Sequence, residues 1–122
     1  MALSCNGRSL PVKTVHHLHT RVQRQRGLIG RAALPPDEVL IFHFPGSGRW
    51  RCAIHSCLVR FSFAVLWLDQ GGQVVDLRVR VRPWRLLILP RRPAHTVIEA
   101  HPDLMSRIKL GDKLTWESEV AA

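Results

Sequence analysis

The chain has 122 residues, a hydrophobic fraction of 46% and a formal net charge of +9, from 18 Lys and Arg against 9 Asp and Glu. This length fits one domain with a hydrophobic core, and the apolar content excludes a largely disordered chain. The longest apolar run, residues 63–68, is far shorter than the roughly 20 residues of a membrane helix. Residues 1–13 lack the apolar core of a signal peptide, and three cysteines make a poor disulfide framework. We therefore expect a basic cytoplasmic protein that does not enter membranes.

One strand and one short helix are predicted in the first part of the chain. Residues 1–10 are expected to form a loose N-terminus, and residues 11–18 have the composition of a strand. Thr20 can cap a helix, and Gln23 three positions later completes a capping box. Gly27 is the residue type that commonly ends a helix. This pattern predicts a short helix between Thr20 and Gly27.

Three strands are predicted in the centre of the chain. Residues 38–44 suit a strand that Pro45-Gly-Ser-Gly48 would break, and residues 50–59 suit another. Residues 61–69 form an apolar run of the length typical of a fully buried strand. The following Gln70-Gly71-Gly72 is a strong hairpin turn.

The return strand of this hairpin, residues 73–82, has the clearest alternating pattern in the protein. A strand has a period of two, so alternate residues share a face. The pattern predicts an apolar face and an outward row that includes three arginines. The apolar face would contain Val75, Leu77, Val79 and Val81, and the other face Asp76, Arg78, Arg80 and Arg82.

The C-terminal part adds a strand at 94–100, a short helix at 101–108 and a final strand at 113–117. Six or seven short strands with two small helices indicate an all-β, mainly antiparallel fold. We expect a jelly-roll-like sandwich or a partly closed barrel. A single β domain would span residues 11–118, and residues 119–122 would form a C-terminal tail.

Several segments, taken in order, resemble the family known as domain of unknown function 192. They are TRVQRQRGLIGR, LPPDEVLIF, IHSCLVRFSFAVLWLDQGGQVV, RPWR, HTVIEA and IKLGDKLTW, and they cover about residues 13–117. The resemblance implies a small prokaryotic protein with a compact, mostly antiparallel, jelly-roll-like fold and no established activity. Ser62 and Ala64 stand where the family usually has Pro and Asp, and Val59 stands where it usually has Met. Any role of that Asp is therefore absent here.

The predicted function is non-enzymatic binding of an anionic small molecule or protein partner at a corner rich in arginine and tryptophan. Arginine recognises anionic groups through paired hydrogen bonds, and a tryptophan supplies an apolar wall. The corner would form where the central block meets Arg82-Pro83-Trp84-Arg85, here called the RPWR corner. The candidate ligand-binding residues are Arg26, His55, Arg60, Arg82, Trp84 and Arg85.

Two other classes of function stay open. The row of Arg78, Arg80 and Arg82 beside Trp84 has the charge and aromatic content of a surface for single-stranded nucleic acid, although its arginines could equally face only solvent. A hydrolase-like enzyme would use His55 or Cys57. No catalytic residue is assigned, because nothing in the sequence indicates an oxyanion hole beside them.

Neither a metal nor a cofactor is predicted. His17 and His19 would share one strand face, and with His55 and a cysteine a zinc site can be drawn. No spacing matches a structural zinc pattern, however. Glu99, at the end of an apolar strand, is expected to form a structural ion pair with an arginine such as Arg26 or Arg82.

Overall fold

The structure, a computed structural model, describes residues 3–117. Most of them fold into short strands, because the sequence alternates brief apolar runs with turn residues. The elements, in chain order, are β1 (Leu3–Cys5), β2 (Arg8–Ser9), β3 (Thr14–Leu18), α1 (Arg21–Arg26), β4 (Glu38–Gly48), β5 (Phe63–Leu68), β6 (Val74–Val81), β7 (Ala94–Ala100), a 3-10 helix (Pro102–Arg107) and β8 (Leu114–Trp116).

The strands form two sheets. The larger has the order β3-β4-β7-β5-β6 and is antiparallel except for the parallel pair β3-β4. The smaller has the order β2-β1-β8. This arrangement confirms the predicted all-β, mainly antiparallel sandwich with two short helices. Within residues 3–117 the larger sheet has two free edges, β3 and β6, and does not close into a barrel. No helix in that range is long or apolar enough to cross a membrane.

The larger sheet is buried on both faces, and each face has its own core. On the first face, Ile41, Leu66 and Ile98 pack against Leu3 and Leu114 of the smaller sheet. The second face is covered by α1 and the loops that follow it. The second core contains Leu28, Leu34, Leu40, Phe42, Cys52, Ile54, Val59, Phe63, Val65, Trp67, Val81, Ala94 and Val97. Burial on both faces explains why β5 is apolar at every position.

The prediction of a loose N-terminus is wrong for residues 3–10. Leu3 is fully buried, and β1 pairs with both β2 and β8. Asn6 and Gly7 connect β1 to β2 with positive φ angles of 52° and 83°, which an Asn-Gly pair adopts readily. Asn-Gly was the sequence signal for this hairpin. The predicted tail 119–122 lies outside the described residues, as does position 118.

Helix α1 has the predicted ends. The Gln23 amide donates to Thr20 Oγ1 at 3.1 Å, and the Gln23 side chain accepts from the Thr20 amide, which completes the capping box. Gly27 follows with a φ of 40°. A side chain at Gly27 would also meet the Phe42 ring at 3.1 Å, so this close approach favours glycine. The short helix is thereby fixed on the second face of the larger sheet.

The predicted strand at 50–59 is wrong. These residues form turns, and only Ile54 pairs as an isolated bridge, with Ile88. Cys52, Ile54 and Val59 are buried in the second core, so this loop covers a core without extending a sheet. Residues 45–48 do not end the preceding strand, because β4 runs to Gly48 with an irregularity in its pairing with β7 after His43.

The predicted faces of the return strand are partly wrong, because its pairing with β5 is irregular. Leu77 lies opposite Leu66 and Val81 opposite Phe63, so β6 contains one extra residue between these pairs. An extra residue in a strand reverses which side chains share a face. Leu77 accordingly packs against the first core and Val81 in the second, while Val79 is exposed.

Candidate functional site

A cavity of about 400 Å³ opens on the second face of the larger sheet. It lies between α1, the end of β4 and the loop that contains the 50–59 segment. A cavity of this size is typical of sites for small molecules. Its lining residues are Arg21, Arg24, Gln25, Arg26, Gly27, Leu28, Ile29, Phe42, Phe44, Pro45, Trp50, Arg51, Ala53, Ile54, His55, Val59 and Glu99.

Four arginines give the cavity its positive charge. Arg21, Arg24 and Arg26 come from the single short helix α1, and Arg51 comes from the facing loop. The guanidinium group of Arg24 lies 5.0 Å from the centre of the Phe44 ring, in a cation–π contact. Arg21, Arg26 and Arg51 are exposed. Guanidinium groups that meet around one opening can bind an anionic group with paired hydrogen bonds.

Among residues 3–117, Glu99 supplies the one carboxyl group of the cavity lining, and it comes from the middle of the larger sheet. β7 lies between β4 and β5, where Glu99 pairs with Leu40 and Val65. Burial raises the pKa of Glu99 to about 8. At pH 7 this carboxyl group is therefore mostly protonated and neutral, and it can donate one hydrogen bond.

The expected ion pair of Glu99 with Arg26 or Arg82 does not form among residues 3–117, and burial raises the pKa of this carboxyl group. A carboxyl group beside a paired guanidinium would have its pKa lowered. Glu99 and Arg26 nevertheless line the same cavity. The space between them is open to a ligand, with a hydrogen-bonding group at its floor and cations at its mouth.

Apolar side chains form much of the remaining wall. Phe42, Ile54 and Val59 belong to the second core and contribute to the cavity lining, as does Leu28 after the helix. The exposed Trp50, with 69% of its surface accessible, also contributes to the lining. The arrangement suits a molecule with an apolar body and an anionic end.

Two of the six predicted ligand-binding residues, Arg26 and His55, line this cavity. The other four lie outside its lining: Arg60, Arg82, Trp84 and Arg85, all with exposed side chains. The sequence reasoning missed Arg21, Arg24, Arg51 and Trp50 as lining residues, and it assigned Glu99 a structural role. The signal available for the helix was Arg21 and Arg24, three residues apart and so on neighbouring positions of one helix face.

The backbone of the RPWR corner is hydrogen-bonded to the buried Ser56, an arrangement here called the latch. The Ser56 hydroxyl donates to the Arg82 carbonyl at 2.5 Å and accepts from the Arg85 amide at 2.9 Å. The Trp84 amide donates to the Ser56 carbonyl at 2.9 Å. Trp84 itself has a φ of 65° and is 65% exposed. The backbone of this corner is thus held in place while its side chains face outwards.

His55 and Cys57 are not arranged as a catalytic dyad. His55 Nδ1 accepts from the backbone amide of Cys57 at 3.2 Å. The Cys57 sulfur points instead to the Arg85 carbonyl, at 3.7 Å. A thiol nucleophile needs its base within hydrogen-bond distance of the sulfur, and this imidazole nitrogen is bonded to a different group.

The predicted row of outward arginines is shorter than expected. Arg78 is half-buried, donates to the Leu89 carbonyl at 3.4 Å, and has a buried Nε atom. Arg80 and Arg82 are exposed. Because the pairing of β6 with β5 is irregular, the side chains of Arg78, Arg80 and Arg82 do not form one evenly spaced row on a single face.

A family model and curated relatives match most of this chain. The model of the DUF192 family, described as "Uncharacterized ACR", matches residues 3–116. The UPF0127 protein PF1050 of Pyrococcus furiosus is 33% identical over 97 residues, which are 78% of this chain and 79% of that protein. A UPF0127 protein of Thermococcus sibiricus is 34% identical over 104 residues, 82% of this chain and 64% of the relative.

Two solved structures share the fold. A protein of unknown function from Novosphingobium aromaticivorans has a TM-score of 0.83 at 18% identity, over 94% of this chain and 84% of the other. A proposed transcription regulator from Sinorhizobium meliloti has a TM-score of 0.77 at 21% identity, over 84% of this chain and 80% of the other. These likenesses concern the fold, and the family match spans nearly all of the sequence. The chain therefore belongs to the DUF192 family, whose curated relatives here are uncharacterised UPF0127 proteins.

Proposed function

We propose that this protein is a non-enzymatic binding module for a small molecule with an anionic end and an apolar body. The observation that carries the proposal is the convergence of Arg21, Arg24, Arg26 and Arg51 on one cavity that ends at the buried Glu99. The anionic end would bind the arginines at the mouth. The apolar body would lie against Phe42 and its neighbours.

Glu99 gives the proposed site its polarity. The ligand end nearest Glu99 would carry a hydrogen-bond acceptor, because the neutral carboxyl group offers a proton. A second anionic group at this end would be disfavoured once Glu99 ionises. The site therefore selects ligands with charge at one end and a neutral polar group at the other.

The proposed setting is the cytoplasm. Its support is cysteine chemistry: Cys5 and Cys52 are buried free thiols, and Cys57 is a half-buried free thiol. Burial raises the pKa of Cys5 and of Cys52 to about 11, so both stay as unreactive thiols at neutral pH. Reduced thiols are the ordinary state of cysteine in that compartment.

The probe for this function is anilinonaphthalene sulfonate, which has an apolar aromatic body and one sulfonate group. Its fluorescence rises when water is excluded, so titration into the folded protein gives a dissociation constant. The variant is Arg26→Gln, which removes one guanidinium group from the mouth. We expect binding at a single site, weakened about tenfold in Arg26→Gln, the size of one charge-assisted contact.

Arg82→Gln is the matched control, because it removes the same charge from an exposed arginine outside the cavity. The proposal expects wild-type affinity in this variant. Weaker binding in Arg82→Gln with unchanged binding in Arg26→Gln would move the site to the RPWR corner. Equal losses in both variants would indicate attraction to net charge alone, and either result would contradict the cavity.

The nucleic-acid alternative has a narrower basis. Arg80, Arg82 and Arg85 are exposed near the exposed Trp84, and arginines beside an aromatic side chain are a feature of single-strand binding surfaces. A titration with single-stranded DNA and RNA at several salt concentrations tests it. Binding that weakens steeply with salt would support this alternative, and no binding at low salt would end it.

A further inference from the structure

We infer that His17, His19 and His43 form a binding site for a divalent transition-metal ion of the zinc type. One ring nitrogen from each histidine can be chosen so that all three lie within 4.8 Å of one another. His17 and His43 are half-buried and His19 is exposed, so an ion can reach the group from solvent. These three residues are here called the histidine cluster.

The histidine cluster is separate from the cavity. It does not contribute to the cavity lining. His43 alternates with Phe42 along β4, and Phe42 belongs to the second core, so His43 projects from the first face of the sheet. Trp116 of β8 meets the His43 ring edge-on, at 6.0 Å between ring centres. The two sites share Arg24, which lines the cavity and bonds to the backbone of the cluster, but no histidine of the cluster lines the cavity, so the inference does not rest on the proposed function.

The parallel pairing of β3 with β4 brings these histidines together. His17 lies opposite Ile41 in the pairing of β3 with β4. His43 lies two residues beyond Ile41 on β4, and His19 lies two residues beyond His17, just after the end of β3. Side chains two residues apart on a strand point to the same face. A His-x-His segment at the end of one strand, beside a strand with one histidine in this register, thus brings the three imidazoles together, and the rings of His17 and His19 both stack on that of His43.

The distances are close to those of a metal site. His17 Nδ1 and His43 Nε2 are 2.8 Å apart, at hydrogen-bond distance. Zinc–nitrogen bonds of about 2.0–2.1 Å place two ligand nitrogens roughly 3.3 Å apart in a tetrahedral site. The nitrogens therefore need to move by on the order of 1 Å, which side-chain rotation supplies. The His19 ring stacks on the His43 ring at 4.4 Å between ring centres, so it must turn for its nitrogen to face the same ion.

The backbone around the cluster is held firmly. The His19 amide donates to Gln23 Oε1 at 2.8 Å, and its carbonyl accepts from the Arg24 guanidinium. The same Arg24 nitrogen donates to the His43 carbonyl at 2.9 Å. Arg24 thus ties both histidine-bearing segments, the end of β3 with His19 and β4 with His43, to helix α1. A preorganised backbone reduces the entropy lost when an ion binds.

Three imidazoles define the chemical class of the ion. Imidazole nitrogen suits Zn²⁺, Cu²⁺, Ni²⁺ and Co²⁺, whereas Mg²⁺ and Ca²⁺ prefer oxygen ligands. Three nitrogen ligands leave a fourth tetrahedral position for water or a small anion. The exposed side of His19 is where that position would open.

The test is a calorimetric titration of the untagged full chain with Zn²⁺, after treatment with a chelator. We expect one ion per chain. His19→Asn is the first variant, because an exposed side chain can be replaced without opening the core. We expect it to weaken binding at least tenfold, and His43→Asn to do so as well, with far-ultraviolet circular dichroism confirming that each variant is folded.

The matched control is His95→Asn, which replaces a half-buried histidine on β7 outside the cluster. Wild-type affinity in this control supports the inference. Absence of binding at millimolar Zn²⁺, or a loss smaller than tenfold in His19→Asn, overturns it. If His43→Asn does not fold, the comparison of Zn²⁺ affinity between His19→Asn and His95→Asn still tests the inference.

A spectroscopic readout identifies the ligands. Co²⁺ in a tetrahedral nitrogen site absorbs visible light, and this band should appear in the wild type and in His95→Asn and be missing from His19→Asn. Cu²⁺ should also quench the fluorescence of Trp116, which lies against His43. Quenching that persists in Trp116→Phe to the wild-type extent would place the ion elsewhere and overturn the site.

Discussion

Glu99 of β7 lies directly opposite Val65 of β5, so that a carboxyl group projects from the centre of the sheet among apolar neighbours. Such a position costs free energy when the group is charged, which is why its pKa is raised. The cavity therefore has a neutral hydrogen-bond donor, Glu99, at its floor and four cationic arginines around its mouth. The position of Glu99 in the sheet thus determines which end of a ligand can bind at the floor of the cavity.

The first prediction concerns stability against pH. Burial raises the pKa of Glu99 in the folded protein to about 8, against an ordinary value of 4.5 for a glutamate side chain. Between these values the folded protein binds more protons than the unfolded chain, so the free energy of unfolding falls as pH rises. The loss due to Glu99 is roughly 2–5 kcal/mol across the window, and none accrues below pH 4.5 or well above pH 8.

Urea unfolding of the wild type and of Glu99→Gln at pH 5 and pH 9 measures this effect. The glutamine has nearly the same shape and does not titrate, so its stability should decline less over the range. All other groups titrate alike in both proteins, and their contributions cancel in the difference. Parallel stability profiles for the two proteins would show that Glu99 has an ordinary pKa.

A second prediction concerns the latch at the RPWR corner. Ser56→Ala removes the hydroxyl that donates to the Arg82 carbonyl and accepts from the Arg85 amide. Buried polar groups that lose their partners cost about 1–3 kcal/mol in total stability. Chemical denaturation should show this loss, while the exposed Ser106→Ala should stay within about 0.5 kcal/mol of the wild type. Similar midpoints for the two variants would contradict the latch.

A third prediction concerns the N-terminal hairpin. The Asp112 carboxylate accepts from the Lys109 amide at 2.9 Å, from Asn6 Nδ2 at 3.0 Å and from the Cys5 thiol. The Lys109 amide, followed by Asn6 and Cys5, lowers the pKa of Asp112 below 3.8. A lowered pKa means stability that is present above pH 3.8 and lost as pH falls through the folded-state pKa.

Asp112→Asn should therefore lower the Tm at pH 7 and have a smaller effect near pH 2. Hydrogen exchange should rise in β1, because its contact with the turn before β8 is weakened. Asp103→Asn serves as the control, since its side chain is largely exposed. A Tm decrease that is the same at both pH values would show that the carboxylate charge is not the cause.

Much of the fold follows from local sequence signals. The capping box at Thr20, the glycine turn after Asp69 and the apolar run of β5 are each decided by neighbours along the chain, and each was predicted. The segment 50–59 was misassigned because its apolar residues, such as Ile54, cover a core from a loop. Local hydrophobicity does not separate a strand from a loop whose side chains are buried.

The site was less accessible to sequence reasoning, because it is assembled from distant segments. Arg51 and Glu99 are far apart in the chain and meet only through the order of strands in the larger sheet. The histidine cluster likewise depends on the parallel pairing of β3 with β4. The spacing of His19 and His43 matches no short metal motif. The irregular pairing of β6 also leaves Arg78 half-buried and Arg80 exposed, and the alternating pattern of the sequence does not indicate this difference.

The central claim is that a ligand anion binds in the cavity above a neutral Glu99. The measurement that tests it most directly is the dissociation constant of anilinonaphthalene sulfonate from pH 7 to pH 9, in the wild type and in Glu99→Gln. Neither sulfonate nor guanidinium titrates in this range, so wild-type binding should weaken by up to about tenfold per pH unit above the pKa of Glu99. Binding to Glu99→Gln should stay nearly constant. Identical pH profiles for the two proteins would contradict the account.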